Sequence, residues 1–181
     1  MRADARRNRQ RLLEAAATVF AAEGADVPID VIARLAGVGP GTLYRHFPTK
    51  EALFEAVMLE RFAQLTAQAR ALLDAPEPGP AFLRFIEELV VQAADRRDVV
   101  DALRQAGFDL RSVKSQVGGE LRDAIDRLLR RAQAAGAVRS DVGIGELMAL
   151  IGGIALSART THGDPARMAA VISDGLRTAD R

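Results

Sequence analysis

Residues 29–47, IDVIARLAGVGPGTLYRHF, constrain the fold more tightly than any other stretch. Ile29, Ile32, Ala33 and Ala36 recur at helical spacing and define one apolar face. Gly37 ends that helix, because glycine reaches the left-handed conformation that a helix C-terminus commonly needs. Val38 is a single apolar plug in the turn. Gly39, Pro40 and Gly41 open a second helix, with proline tolerated at a helix start. Leu43 and Phe47, four residues apart, point back onto the first helix. Thr42, Tyr44, Arg45 and His46 are left facing outward. Two helices joined by a tight turn, the second carrying hydroxyl, phenol, guanidinium and imidazole groups, suit the DNA major groove.

The rest of the composition fits an all-α chain. Hydrophobic residues make up 49% of the 181 positions, enough for a sizeable core, while aromatics are only 4%. Alanine, leucine and arginine dominate, which favours helices. No run of alternating β-branched residues argues for a strand. The chain has no cysteine, which excludes disulfides, thiolate metal sites and cysteine nucleophiles. No apolar run reaches transmembrane length. The arginine-rich N-terminus lacks the apolar stretch of a signal peptide, so a cytoplasmic protein is expected.

Charge is unevenly spread. Residues 1–50 hold eight Arg or Lys and five acids, a balance of +3, so the rest carries −2 of the overall +1. A basic end on a near-neutral body fits one end meeting nucleic acid. Arg6, Arg7 and Arg9 read as a basic arm that touches phosphate, giving affinity and salt dependence without sequence discrimination. Arg2 reads as part of a solvated, partly frayed terminus.

A first helix is expected from about Ala5 to Ala22, with Leu12, Leu13, Ala16, Val19 and Phe20 as its apolar stripe and Gly24 as its stop. Pro28 starts the next helix, where Asp30 favours the N-terminus by charge. Pro48 breaks the outward-reading helix, and Thr49 caps the one that follows. That helix is expected over about 50–73. Leu53, Phe54, Val57 and Met58 pack on the first three helices, while Phe62, Leu65, Leu72 and Leu73 belong to a second core. The natural division is therefore 1–50 and 51–181, with this helix as connector. Asp74–Pro80, with three prolines in seven residues, is the clearest break.

Beyond the break, helical stretches are expected over Pro80–Ala94, Asp98–Ala106, Ser112–Ala135, Gly145–Arg159 and Asp164–Arg177, making about nine helices in all. Gly107–Leu110 reads as irregular, and Gly118-Gly119 as a bend. Asp164 and Pro165 form an N-cap and first-turn pair. The stretch 144–159 is apolar all round and needs cover on every side. It is either the central helix of a monomer core or half of a dimer interface.

Catalytic chemistry is missing. His46 and His162 have no ligand-like partner at i+3 or i+4, so no metal site is expected. No serine sits in a nucleophile elbow, and Gly39-Pro40-Gly41 lacks the lysine of a phosphate loop. No cofactor is expected. Phe62, Phe82, Phe85, Leu103 and Phe108 could line a ligand pocket, with Gln64, Gln68, Gln92 and Gln105 as polar handles. Aromatics at helical spacing equally describe plain packing.

The stretch AGVGPGTLYRHFPTKEAL, residues 36–53, resembles the DNA-binding signature of the tetracycline-repressor (TetR) family of transcriptional regulators. The resemblance covers roughly residues 8 to 58. It implies that Gly39, Pro40, Gly41, Thr42, Tyr44, Arg45 and His46 meet double-stranded DNA, and that Lys50 anchors a phosphate at its helix N-terminus. It implies a homodimer through the last two helices, here Leu147, Leu150, Ile151, Ile154, Met168, Val171 and Ile172. Two reading helices would then lie roughly 34 Å apart on a palindromic operator. It further implies a small, apolar effector held in the C-terminal part, whose binding releases a repressor. The family often carries serine or threonine at the position of Pro28, so no phosphate contact is assigned there. Two alternatives stand beside this reading: a regulator without a ligand, and a helical enzyme or carrier in which the two-helix unit is only structural.

Overall fold

The computed structural model describes residues 2–24, 27–95, 110–157 and 164–178, and their side chains except at 2–3, 94–95, 110–117 and 155–157. Among these residues the fold is all-α. Eight α-helices are present: α1 (Arg2–Glu23), α2 (Ile29–Leu35), α3 (Pro40–His46), α4 (Lys50–Ala71), α5 (Pro78–Asp95), α6 (Leu110–Ala134), α7 (Ile144–Ser157) and α8 (Pro165–Leu176), with a short 3₁₀ turn at Leu72–Asp74. The helix expected over 98–106 lies outside the described residues. The chain divides into two compact units, the described parts of Met1–Phe62 with Asp98–Gln116, and of Ala63–Arg97 with Val117–Arg181.

In the first unit, the stripe on α1 closes over α2, α3 and the start of α4. Leu12, Leu13, Ala16, Val19 and Phe20 are all buried, together with Ile32, Ala33, Leu43, Phe47, Leu53 and Phe54. Phe20 meets Phe54 edge to face, with ring centroids 5.6 Å apart, the favoured arrangement of two aromatic quadrupoles. The unit extends past position 50 because the first turns of α4 contribute Leu53, Phe54 and Val57 to this same core. Helix α1 begins at Arg2, earlier than the expected Ala5.

The second unit is built on α5, which packs most extensively against α8 and then α7. Phe82, Leu83, Phe85, Ile86 and Val90 of α5 are buried, as are Leu121, Ile125, Leu128 and Leu129 of α6. Helix α5 starts at Pro78, two residues before the expected Pro80, because prolines in a first turn give up N–H groups that have no helical partner. Leu110, expected to be irregular, opens α6, which continues unbroken through Gly118 and Gly119. Gly136 (φ +72°) ends α6. Its N–H bonds the carbonyl of Gln133 at 2.9 Å, and the next N–H, of Ala137, bonds that of Ala132 at 3.1 Å. This paired closure is a glycine-terminated helix end. The chain beyond α8 returns to the α6–α7 loop through an isolated antiparallel bridge between Val138 and Arg177. There Arg139 N–H bonds the Leu176 carbonyl at 2.9 Å, and Thr178 Oγ1 donates to that of Gly136 at 2.8 Å.

Candidate DNA-binding surface

The turn between α2 and α3 is fixed by backbone bonds. Gly37 has φ +65°. Its N–H bonds the Arg34 carbonyl at 3.1 Å, and Val38 N–H bonds that of Ala33 at 3.0 Å. Val38 packs against the core as the expected plug. Gly39 then stands at the N-cap of α3 with Pro40 as its first residue. Phe47 closes the helix, its N–H bonding the Leu43 carbonyl at 2.8 Å.

These constraints sort the side chains of α3 into two sets. Leu43 and Phe47 are buried, at 0% and 3% exposure. Tyr44 is 47% exposed, Arg45 is exposed, and Thr42 and His46 are half-buried. The His46 ring lies 6.3 Å from that of Phe47. Gly39, Pro40 and Gly41 are exposed. A phenol, a guanidinium and a hydroxyl thus stand on one short, buttressed element. Among the described residues Arg45 has no carboxylate partner, so its donors are open to a base edge or a phosphate.

Lys50 opens α4, half-buried, immediately after the cap. Thr49 Oγ1 accepts a hydrogen bond from Ala52 N–H at 3.1 Å. The neighbouring Glu51 carboxyl is held below its ordinary value, first by its own backbone N–H, then by the Thr49 hydroxyl. The same helix start that lowers it favours a phosphate beside Lys50. On α1, Arg7 is paired with Asp4 and Arg11 donates to Asn8 Oδ1. Arg9 instead lies over the Phe47 ring, 5.5 Å from its centroid. The sequence reading missed this contact. Its only trace is spacing: Arg9 precedes Leu12 and Leu13 by three and four residues, at the edge of the apolar stripe.

The remaining candidates separate. Phe82 and Phe85 are buried in the second unit. Phe62 and Gln92 are half-buried, whereas Gln64 and Gln68 lie on the surface. The Gln92 Oε1 atom is buried without a hydrogen-bond partner among the described residues. Leu103, Gln105, Phe108 and His162 lie outside the described residues. On α7, Leu147 and Ile151 are buried within the chain itself, at 0% and 5% exposure, while Leu150 is 50% and, on α8, Val171 66% exposed. Ile154, Met168 and Ile172 are half-buried. No group of three or more metal-ligating side chains forms among the described residues, and no helix there is long and apolar enough to cross a membrane.

A helix-turn-helix with an open, polar second helix, carried on an all-α chain, defines a DNA-binding transcriptional regulator. Comparison with known proteins gives the family. Residues 12–57 match the model of bacterial regulatory proteins of the tetR family. Residues 77–178 match the C-terminal domain of SbtR-like transcriptional regulators. The chain belongs to the TetR family. A TetR regulatory protein from Mycobacterium vanbaalenii is 45% identical, with 98% of this chain and 99% of that one covered and a TM-score of 0.79. A TetR transcriptional regulator from Streptomyces coelicolor is 34% identical over 95% of this chain and 99% of that one, with a TM-score of 0.77. The regulator UidR of Escherichia coli K12 is 28% identical over 152 residues, 78% of this chain and 74% of its own length.

Proposed function

We propose that this regulator is a homodimeric repressor that grips a palindromic operator through α3 and leaves it when a small molecule binds the C-terminal part. The observation that carries the DNA reading is the two-sided α3, with Leu43 and Phe47 buried and Tyr44 and Arg45 open. Thr42, Tyr44 and Arg45 meet base edges and flanking phosphates. His46 and Lys50 hold the backbone, and Gly39, Pro40 and Gly41 let the start of α3 approach it closely. Leu150 and Val171, large and exposed on α7 and α8, are the anchors of the dimer, with Ile154, Met168 and Ile172 around them. Phe82, Phe85 and Gln92 belong to the effector region, and the unpaired Gln92 oxygen gives that region one polar requirement.

The test begins with a duplex selected from a random library by the wild-type protein. R45A is expected to lose about 1–3 kcal/mol on that duplex, the scale of one bidentate base contact. K50A is expected to weaken selected and scrambled duplexes alike and to lower the salt slope by about one. Binding that survives both changes together would sink the assignment.

A further inference from the structure

We propose that Arg9 is a positioning residue for the reading helix: stacked on Phe47, it fixes the C-terminal end of α3 and so the angle at which Thr42, Tyr44 and Arg45 meet the bases. This inference rests on the DNA-binding reading above. Helix α3 has only seven residues, too few to hold its own shape. One end is set by Gly37 and Val38. The other is set by Phe47, whose backbone turns extended (φ −136°, ψ 92°) after its N–H closes the last helical bond. Phe47 is 3% exposed, and the guanidinium of Arg9 lies over its ring.

Arg9 itself is exposed, and among the described residues it has no carboxylate partner. Of the α1 acids on either side of it, Asp4 holds Arg7 and Glu14 accepts from Gln10 Nε2. A planar guanidinium stacks on a phenyl face while its edge donors stay in solvent. Two residues along, Arg11 reaches the turn before α3: a Cβ placed on Gly37 would lie 3.8 Å from its Nη1. The arginines of α1 thus cover both ends of the reading helix. A plain phosphate contact by Arg9 would strengthen every duplex equally. A positioning role strengthens the matched one.

Binding is measured by fluorescence anisotropy on the selected duplex and on a scrambled duplex of the same composition. R9A is expected to lower the preference for the selected duplex by about fivefold, the scale of one exposed cation–π contact. R9M, which keeps an apolar arm and a sulfur over the ring without the charge, is expected to hold that preference within about twofold while weakening both duplexes. On an F47L background, R9A is expected to change the preference no further. Equal loss on both duplexes in R9A, or no difference between R9A and R9M, overturns the proposal. A second readout needs no DNA: amide exchange at Phe47 is expected to quicken in R9A relative to Ala52, whose N–H is held by Thr49. Unchanged exchange at Phe47 also overturns it. If the wild-type protein selects no duplex, the DNA-binding reading fails, and the exchange result still decides what Arg9 does to α3.

Discussion

Gly79, in the first turn of α5, approaches Ala137 so closely that a Cβ on the glycine would lie 2.2 Å from the alanine Cβ. The neighbour is a methyl group on the loop after α6, held by the glycine closure at Gly136, and has no flexible arm to swing aside. G79A is therefore expected to cost about 1–3 kcal/mol, the usual penalty of overpacking. A137G in the same chain should recover most of it. Denaturant melts of the two single variants and the double variant check this. A G79A protein as stable as wild type would show that the loop yields.

Gly37 and Gly41 predict opposite outcomes although they lie four residues apart. Gly37 has φ +65° with room for a Cβ, so G37A pays only for the left-handed backbone, about 1–2 kcal/mol. Gly41 lies inside α3 with ordinary helical backbone and nothing within 4 Å of a Cβ. G41A should raise stability by roughly 0.5–1 kcal/mol through helix propensity. If Gly41 lets DNA approach closely, the same variant loses affinity while its melting temperature rises.

Thr49 is tested by its hydroxyl alone. T49A removes the acceptor for Ala52 N–H and is expected to cost about 1 kcal/mol, whereas T49S should stay near wild type. The Glu51 carboxyl, partly lowered through Thr49, should titrate closer to its ordinary value in T49A, a change readable by carbon NMR.

Arg139 holds both carboxylate oxygens of Asp141 at 2.7 Å, and that hydrogen bonding brings the Asp141 carboxyl down to about 2 from an ordinary 3.8. Because the folded value lies below the ordinary one, the pair's contribution is complete above the ordinary value. It fades as pH falls toward 2. Both groups are exposed, so the effect is local. An NMR titration should show the Asp141 carboxyl midpoint near 2 in wild type and raised toward the ordinary value in R139Q. A midpoint unmoved by that change would place the cause elsewhere.

The proposed dimer is tested on the exposed anchors alone. L150E combined with V171E should yield a folded monomer by light scattering, since neither side chain serves the chain's own core. Leu147 and Ile151 are unsuitable for this test, because replacing them opens the monomer.

Much of this fold was legible because the signals were local. Gly37, Gly136 and Asp164 end or begin helices by their own backbone chemistry: Asp164 Oδ1 accepts from Ala166 N–H at 3.0 Å, as an aspartate before a proline foretells. The outward and inward faces of α3 follow from the spacing of Leu43 and Phe47. What stayed hidden depends on partners distant in sequence. Arg9, expected as part of a phosphate-touching arm, also has Phe47 beneath it. Leu147 and Ile151, expected at a dimer interface, are buried within the chain itself, and Gln64, expected as a pocket handle, is exposed on α4. The bridge between Val138 and Arg177 joins segments that carry no strand pattern, so periodicity has nothing to detect.

The two faces of α3 separate what the protein must keep from what it can change. Leu43 and Phe47 answer to the core, while Tyr44 and Arg45 stand clear of it and Thr42 and His46 lie half-buried between the two. Exchanging Tyr44 or Arg45 removes no buried side chain of the first unit, so under the proposed DNA reading a new operator can be acquired without rebuilding the scaffold. A library randomised at positions 44 and 45, proline excluded, should therefore stay folded throughout and differ in which sequences its members read.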